Sequence, residues 1–330
     1  MKPFEYVRAH DVGSALRLLT DNPDATLMGG GTNLVDHMKL GVAQPRLVID
    51  VSRLPLNEIE VRPDGGVRIG ATVRNSDLAA HPVIRSQYAV LARALLSGAS
   101  GQLRNAATTA GNLMQATRCV YFQDVTTPCN KREPGTGCSA VGGYVRYHAV
   151  LGASDHCIAV HPSDMAVALS ALDGVVVVRD GDGEHRIPVN DFYRLPGDSP
   201  ERDTVLTHDQ VIVAVELPAP SELQSTYVKA RDRASFAFAL VSVAAAIKLE
   251  DGVTADVRIA LGGVAHRPWR AYRAEEVLRG SPPSDDIFGR AADIELSEAK
   301  PQPDNTFKVP LARNLMVSAL RSLTIGGSGR

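Results

Sequence analysis

Three consecutive glycines, Gly29-Gly30-Gly31, separate a short apolar run, Ala25-Thr26-Leu27-Met28, from a helical stretch, Leu34 to Leu40. A chain without side chains can turn tightly there and gather main-chain N–H groups just ahead of a helix N-terminus, where the helix dipole is positive. The segment is therefore a strand–loop–helix unit whose loop, through Thr32 and Asn33, can hold a phosphate. It lacks the last glycine of G-x-G-x-x-G and the Gly-Lys-Ser/Thr of a P-loop, so neither fingerprint applies. Taken alone, the loop can equally be a turn that only reverses the chain.

A second loop, Thr108-Thr109-Ala110-Gly111-Asn112-Leu113, again sets small residues, hydroxyls and an amide in a row, after Gly98 and the polar run Ser100 to Asn105. A pyrophosphate carries two charged groups, and two donor-rich loops can grip it from opposite sides. The pair is more specific than either loop.

The rest of the chain supports an α+β fold. Helical spacing recurs at Asp11 to Leu19, Tyr88 to Ser97 (stopped by Gly98) and Asp164 to Leu172, with Ser163 as N-cap. Asn75-Ser76-Asp77 offers N-cap candidates for a further helix. Arg46 to Val51, Gly66 to Val73, Val175 to Val178 and Gln210 to Leu217 read as strands. After the turn-rich Pro218-Ala219-Pro220-Ser221, Thr226 to Ala230, Ala237 to Leu249 and Thr254 to Leu261 predict a three-stranded antiparallel sheet. Helices follow near Ala271 to Leu278, Ile287 to Leu296 and Leu311 to Leu323. At 330 residues the chain exceeds the roughly 100–200 of a single domain. The boundary falls in that linker, giving domains 1–220 and 221–330. The last residues, Gly326 to Arg330, read as a flexible tail.

With 44% apolar and 22% charged residues the chain is globular. Its 35 basic and 37 acidic residues, net −2, argue against nucleic acid as a partner. There is no signal-like apolar start, and no segment reaches the roughly 18 uninterrupted apolar residues of a membrane span.

Between about 116 and 160 periodicity fades, and all four cysteines lie there, spaced C-x9-C-x8-C-x18-C: Cys119, Cys129, Cys138 and Cys157. Four thiolates suffice for a cubane iron–sulfur cluster or a structural zinc, yet the spacing matches neither template, and free thiols or two disulfides remain open. Two features favour a metal centre. The insert has few large apolar residues, so metal binding would have to order it. Arg118, Lys131 and Arg132 also sit beside the cysteines and would offset the negative charge of a thiolate-ligated cluster.

Met28 to Leu34, Thr109 to Leu113 and His161-Pro162-Ser163-Asp164-Met165, together with Ile259 to Ala265, resemble the FAD-binding (medium) subunits of molybdenum hydroxylases of the xanthine dehydrogenase family over nearly the whole chain. Ala99 to Asn105, the cysteine insert and Arg231 to Ala237 further resemble the flavoprotein subunits of bacterial periplasmic aldehyde oxidoreductases. The resemblance implies a two-subdomain FAD-binding domain of the vanillyl-alcohol-oxidase type and a smaller α+β domain. It implies that Leu27, Met28, Gly29, Gly30, Gly31, Thr32, Asn33 and Leu34 form one flavin loop, and Thr108, Thr109, Gly111 and Asn112 a second, with Gly98 and Ser100 nearby. Asp164 would meet the polar part of the cofactor, Ile212 would line the flavin site, and Lys229 would stand near the isoalloxazine.

It also implies a [4Fe–4S] cluster on Cys119, Cys129, Cys138 and Cys157. A large partner subunit would carry the molybdenum cofactor, and a small one would carry two [2Fe–2S] clusters and feed electrons through FAD to an external acceptor. No residue is required as a general acid or base, so the isolated chain is not expected to oxidise substrate. Export to the periplasm would depend on a signal-bearing partner; otherwise the chain stays in the cytoplasm. Two rivals are a self-sufficient FAD oxidoreductase and a zinc-stabilised binding module.

Overall fold

The computed structural model describes residues 1–325, with three sheets and three main hydrophobic cores. The predicted tail, 326–330, lies outside the described residues.

The first sheet is parallel: β1 (Glu5–Arg8), β2 (Ala25–Met28) and β3 (Leu47–Asp50), in the order β1-β3-β2. The helix Val12–Asp21 covers it. Asp11 caps this helix by accepting from Ser14 N–H at 2.6 Å, and Ala15 and Leu19 are buried against Ile49 and Leu54.

The second sheet is antiparallel: β4 (Ile59–Val61), β5 (Val67–Gly70), β6 (Val175–Arg179), β7 (Glu184–Pro188) and β8 (Val211–Leu217), in the order β4-β5-β8-β6-β7. All of β8 is buried, which its apolar run Val211 to Val215 foretells; Glu216 is buried by pairing with Arg62, Arg68 and Arg186. The third sheet is also antiparallel: β9 (Gln224–Ala230), β10 (Val241–Glu250), β11 (Val253–Gly262) and β12 (Trp269–Arg270), in the order β12-β11-β10-β9. The helices Tyr272–Leu278 and Lys308–Ile325 pack on it and Asp285–Leu296 packs on both of them, with Leu278, Phe288, Met316 and Leu320 in one shared core.

One helix joins the second and third sheets. Asp164–Ala171 is apolar on every side apart from its first and seventh residues, and all of it is buried. Ser163 caps it by accepting from Ala166 N–H at 3.0 Å. Asp164, its first residue, is thereby delivered into the interior.

The structure corrects several expectations. The C-terminal sheet has a fourth strand, β12, whose two residues are too few to show periodicity. The middle strand begins at Val241, not Ala237; residues 237–240 form a loop instead. The helix Asn75–Ala80 has Arg74 at its N-cap position with no side-chain cap, so none of Asn75, Ser76 and Asp77 caps it. The second loop is one helical turn, Thr109–Leu113, capped by Thr108.

Candidate functional site

The two predicted loops lie against each other, backbone on backbone. A Cβ on Gly30 would come within 2.6 Å of the Ala106 carbonyl carbon, and one on Gly29 within 2.7 Å of Thr108 Oγ1. Only glycine permits that approach.

The loops are chemically unequal. The main-chain N–H groups of Gly29, Gly30, Gly31, Thr32 and Asn33 find no main-chain acceptor among the described residues, while the loop's carbonyls accept from Val35 and His37. A row of free donors at a helix start suits an anion. In the second loop the N–H groups from Thr109 to Asn112 are spent: Thr109 on Val73, Ala110 on Ala71, Asn112 on the Thr108 carbonyl and Gly111 on Thr108 Oγ1. The symmetric pair of cradles inferred from sequence is therefore one cradle and one buttress.

Two cavities meet at these loops. The smaller, about 510 Å³, is lined by Leu27 to Leu34, Thr108, Gly111 and Ile212 of β8. The larger, about 570 Å³, is lined by Gly98, Asn112, Asp164 and Lys229. Thr32, Asn33 and Gly111 border both. Each volume falls in the roughly 300–1,000 Å³ range of ligand sites. Cavities joined at an anion cradle suit a dinucleotide whose pyrophosphate sits at the waist.

Two of the predicted residues stand apart. Ser100 lines neither cavity, because its hydroxyl caps the helix Gly101–Ala106 by accepting from Leu103 N–H at 3.3 Å. Thr109 is buried and its hydroxyl donates to the Val73 carbonyl at 3.2 Å, which takes it out of the cleft.

Asp164 and Lys229, far apart in sequence, form an ion pair at 2.7 Å with side chains only 9% and 3% exposed. Tyr227 OH donates to the other Asp164 oxygen at 2.6 Å, and Lys229 Nζ also donates to the Ser97 carbonyl at 3.1 Å. The carboxylate that sequence suggested as a cofactor ligand is thus committed first to its neighbours, and the pair fixes charge on the cavity wall. Sequence reasoning missed Tyr227, whose alternation on β9 with Val228 carried no polar signal, and Asn75, whose buried Oδ1 has no partner at the wall of the larger cavity. An orphaned buried acceptor there fits a ligand that donates a hydrogen bond.

The cysteine insert has one short helix, Val120–Gln123, and a small core of Ala140, Val145 and Ile158 against which Cys119 and Cys138 pack. Cys129 and Cys138 pair across an isolated antiparallel bridge. None of the four cysteines forms a disulfide. Burial pushes the Cys119 thiol up to about 11 and the Cys157 thiol up to about 12, and neighbouring cysteine charges push in the same direction. Thiols held this way ionise only with a cation among them.

Among the described residues, no group of three or more His, Cys, Asp or Glu is disposed to hold a single metal ion. The sulfurs are nonetheless near enough to feel one another, Cys119 responding to Cys129 and Cys138 and Cys157 to Cys138 and Cys119, and an all-thiol donor set is the chemistry an iron–sulfur cluster takes.

The basic residues beside the cysteines have partners of their own. Arg132 donates to the carbonyls of Tyr121 and Phe122 at 2.9 and 2.8 Å, and Arg118 lies over the Phe238 ring at 5.0 Å. Lys131 bonds the Pro200 carbonyl at 2.8 Å and Asp203, and its charge lowers the Cys157 thiol against the rise that burial causes. The first two work mainly as carbonyl caps and packing, which spacing could not reveal.

Among the described residues no helix is long and apolar enough to cross a membrane. Residues 2–220 match the FAD-binding domain in molybdopterin dehydrogenase, and residues 225–323 match the CO dehydrogenase flavoprotein C-terminal domain. The chain is 51% identical to the aldehyde oxidoreductase FAD-binding subunit PaoB of Escherichia coli strain K12, covering 97% of this chain and 98% of that one. It is 27% identical to the glyceraldehyde dehydrogenase medium chain of Sulfolobus acidocaldarius, covering 92% and 90%. A carbon monoxide dehydrogenase structure from Hydrogenophaga pseudoflava superposes with a TM-score of 0.78 at 25% identity, over 98% of this chain and 99% of that chain. With its glycine cradle, its linked cavities and both halves matched, this chain belongs to the FAD-binding subunits of the molybdenum hydroxylases, as a subunit of an oxidoreductase.

Proposed function

We propose that this chain is the electron-transfer subunit of a molybdenum-dependent aldehyde oxidoreductase, carrying FAD in the linked cavities and a [4Fe–4S] cluster on Cys119, Cys129, Cys138 and Cys157. The observation that carries the flavin reading is the row of unspent N–H groups from Gly29 to Asn33 at the waist between two cavities. Flavin, when bound, supplies one- and two-electron redox chemistry. The protein's own part is to bind and orient. The Gly29–Asn33 amides take the pyrophosphate, the buttress of Thr108 to Asn112 keeps that loop in place, and Leu27, Met28 and Ile212 enclose one end. Gly98 borders the other end with the Asp164–Lys229 pair, whose mutual neutralisation leaves a fixed dipole at the wall.

In this reading residues 1–220 form the flavin domain and 221–330 a second domain that closes the larger cavity. A large molybdenum-cofactor subunit would oxidise the aldehyde, a small [2Fe–2S] subunit would deliver electrons, and an external acceptor would remove them. The aldehyde and the partners are drawn from the 51% identical relative's name and from the resemblance. Residence in the periplasm would follow from co-export with a signal-bearing partner.

The test is a visible spectrum of the purified protein with flavin, iron and acid-labile sulfide quantified. The expected result is one flavin and four irons per chain, with flavin reduction by an aldehyde only when the partner subunits are present. Zinc in place of iron would select the binding-module rival. The larger cavity also carries Tyr144, Tyr147 and His148, so aldehyde reduction of the isolated chain's flavin would instead select a self-sufficient oxidase.

A further inference from the structure

His148 stands where the larger cavity meets the cysteine insert. Its Nε2 lies 3.2 Å from Cys119 Sγ, both residues line the cavity, and the histidine is only 4% exposed. Its Nδ1 is buried with no partner. The backbone is held firmly: the His148 N–H donates to the Val145 carbonyl at 2.9 Å, and its own carbonyl accepts from Lys308 Nζ at 2.8 Å and Asn305 Nδ2 at 3.3 Å. Lys308 is fully buried. The C-terminal domain thus fixes the imidazole against one particular sulfur.

A metal-bound thiolate offers only lone pairs, so the ring nitrogen facing it must carry the proton. Main-chain N–H groups of Tyr121 and Phe122 favour the Cys119 thiolate, and that of Ala159 favours the Cys157 thiolate. His148 adds a side chain to that set, and it does so at the one cysteine on the cavity wall. Hydrogen bonds to cluster sulfurs stabilise the more negative, reduced state.

We propose that His148 is a positioning residue that donates Nε2–H to Cys119 Sγ and so raises the reduction potential of the iron–sulfur centre ligated there. This rests on the cluster reading above. The experiment is an EPR-monitored redox titration of the protein with the subunits that co-purify with it. At a fixed potential, His148→Phe should lower the reduced-to-oxidised ratio about tenfold, equivalent to a fall of about 59 mV for one electron. His148→Gln, which keeps an N–H, should lose less.

Unchanged potentials in both variants overturn the proposal and leave the cluster standing. Wild-type protein without iron and sulfide overturns both readings, and that is known before any variant is made. Where His148→Phe does not fold or load iron, the wild type answers by itself: with 15N-histidine labelling, pulsed EPR of the reduced cluster should show a 15N coupling, and its absence overturns the proposal.

Discussion

The glycine cleft and the cysteine insert are both irregular backbone, yet they are held in opposite ways. In the cleft, main chain rests directly on main chain, Gly30 against Ala106, and Arg74 donates to that same Ala106 carbonyl. In the insert, side chains reach from elsewhere to hold loop carbonyls: Arg132 from within, Asn305 and Lys308 from the C-terminal domain. The cleft therefore tolerates almost no added atom, whereas the insert depends on distant residues that never touch a cysteine. The one is a local solution, the other a tertiary one.

The largest expected effect lies in the cleft. Gly30→Ala drives a methyl into the Ala106 carbonyl and should cost more than about 3 kcal/mol or spread the loops. The purified variant should contain little flavin by absorbance, and full occupancy would defeat the backbone-on-backbone account. Next comes Asp164→Asn, which leaves Lys229 charged and buried; breaking such a pair costs about 3–5 kcal/mol, readable as a lower denaturant midpoint.

In the insert, Asn305→Ala strands the Ala149 carbonyl and takes one of two donors from the carbonyls of Val145 and His148, and should cost about 1–3 kcal/mol. Because those carbonyls belong to the insert, iron should fall while flavin stays, a split that metal and flavin analysis of one sample would reveal or refute.

Lys308 gives a pH signature. Burial lowers its amine from the ordinary 10.5 to about 7. Between those values the unfolded chain binds the proton and the folded one does not, so stability should rise from pH 7 toward 10, by at most about 1.4 kcal/mol per unit. Urea melts across that range should show a flatter slope for Lys308→Met than for wild type; equal slopes would mean the amine stays charged when folded. The smallest effect is Gly135→Ala. Its φ of +87° strains an alanine by about 1–2 kcal/mol, but the added methyl meets open space, so flavin and iron should both stay at wild-type levels.

Much of this was legible in the residues. The Ala25–Met28 strand, the Gly29–Asn33 turn, the Ser163 cap and the largely apolar β8 all follow from local pattern, because each is decided within a few neighbours. What stayed hidden depends on contacts far along the chain. Thr109 and Ser100 look like ligand donors in sequence but spend their hydroxyls on Val73 and Leu103. Whether an N–H is free depends on what packs beside it, and Ala71 and Val73 lie more than thirty residues before the amides of Thr109 and Ala110 that they satisfy.

By itself the sequence determined the alternation of strands and helices, the one place where the chain could shed its side chains to receive an anion, and the supply of four thiols in a stretch with little core of its own. Only the tertiary structure decided which loop keeps its donors free, that Asp164 answers Lys229 and Tyr227, and that His148 turns to Cys119. The reason is physical: covalent order fixes propensity and periodicity, but hydrogen-bond partners and buried charge pairs are chosen by whatever the fold brings within about 3 Å.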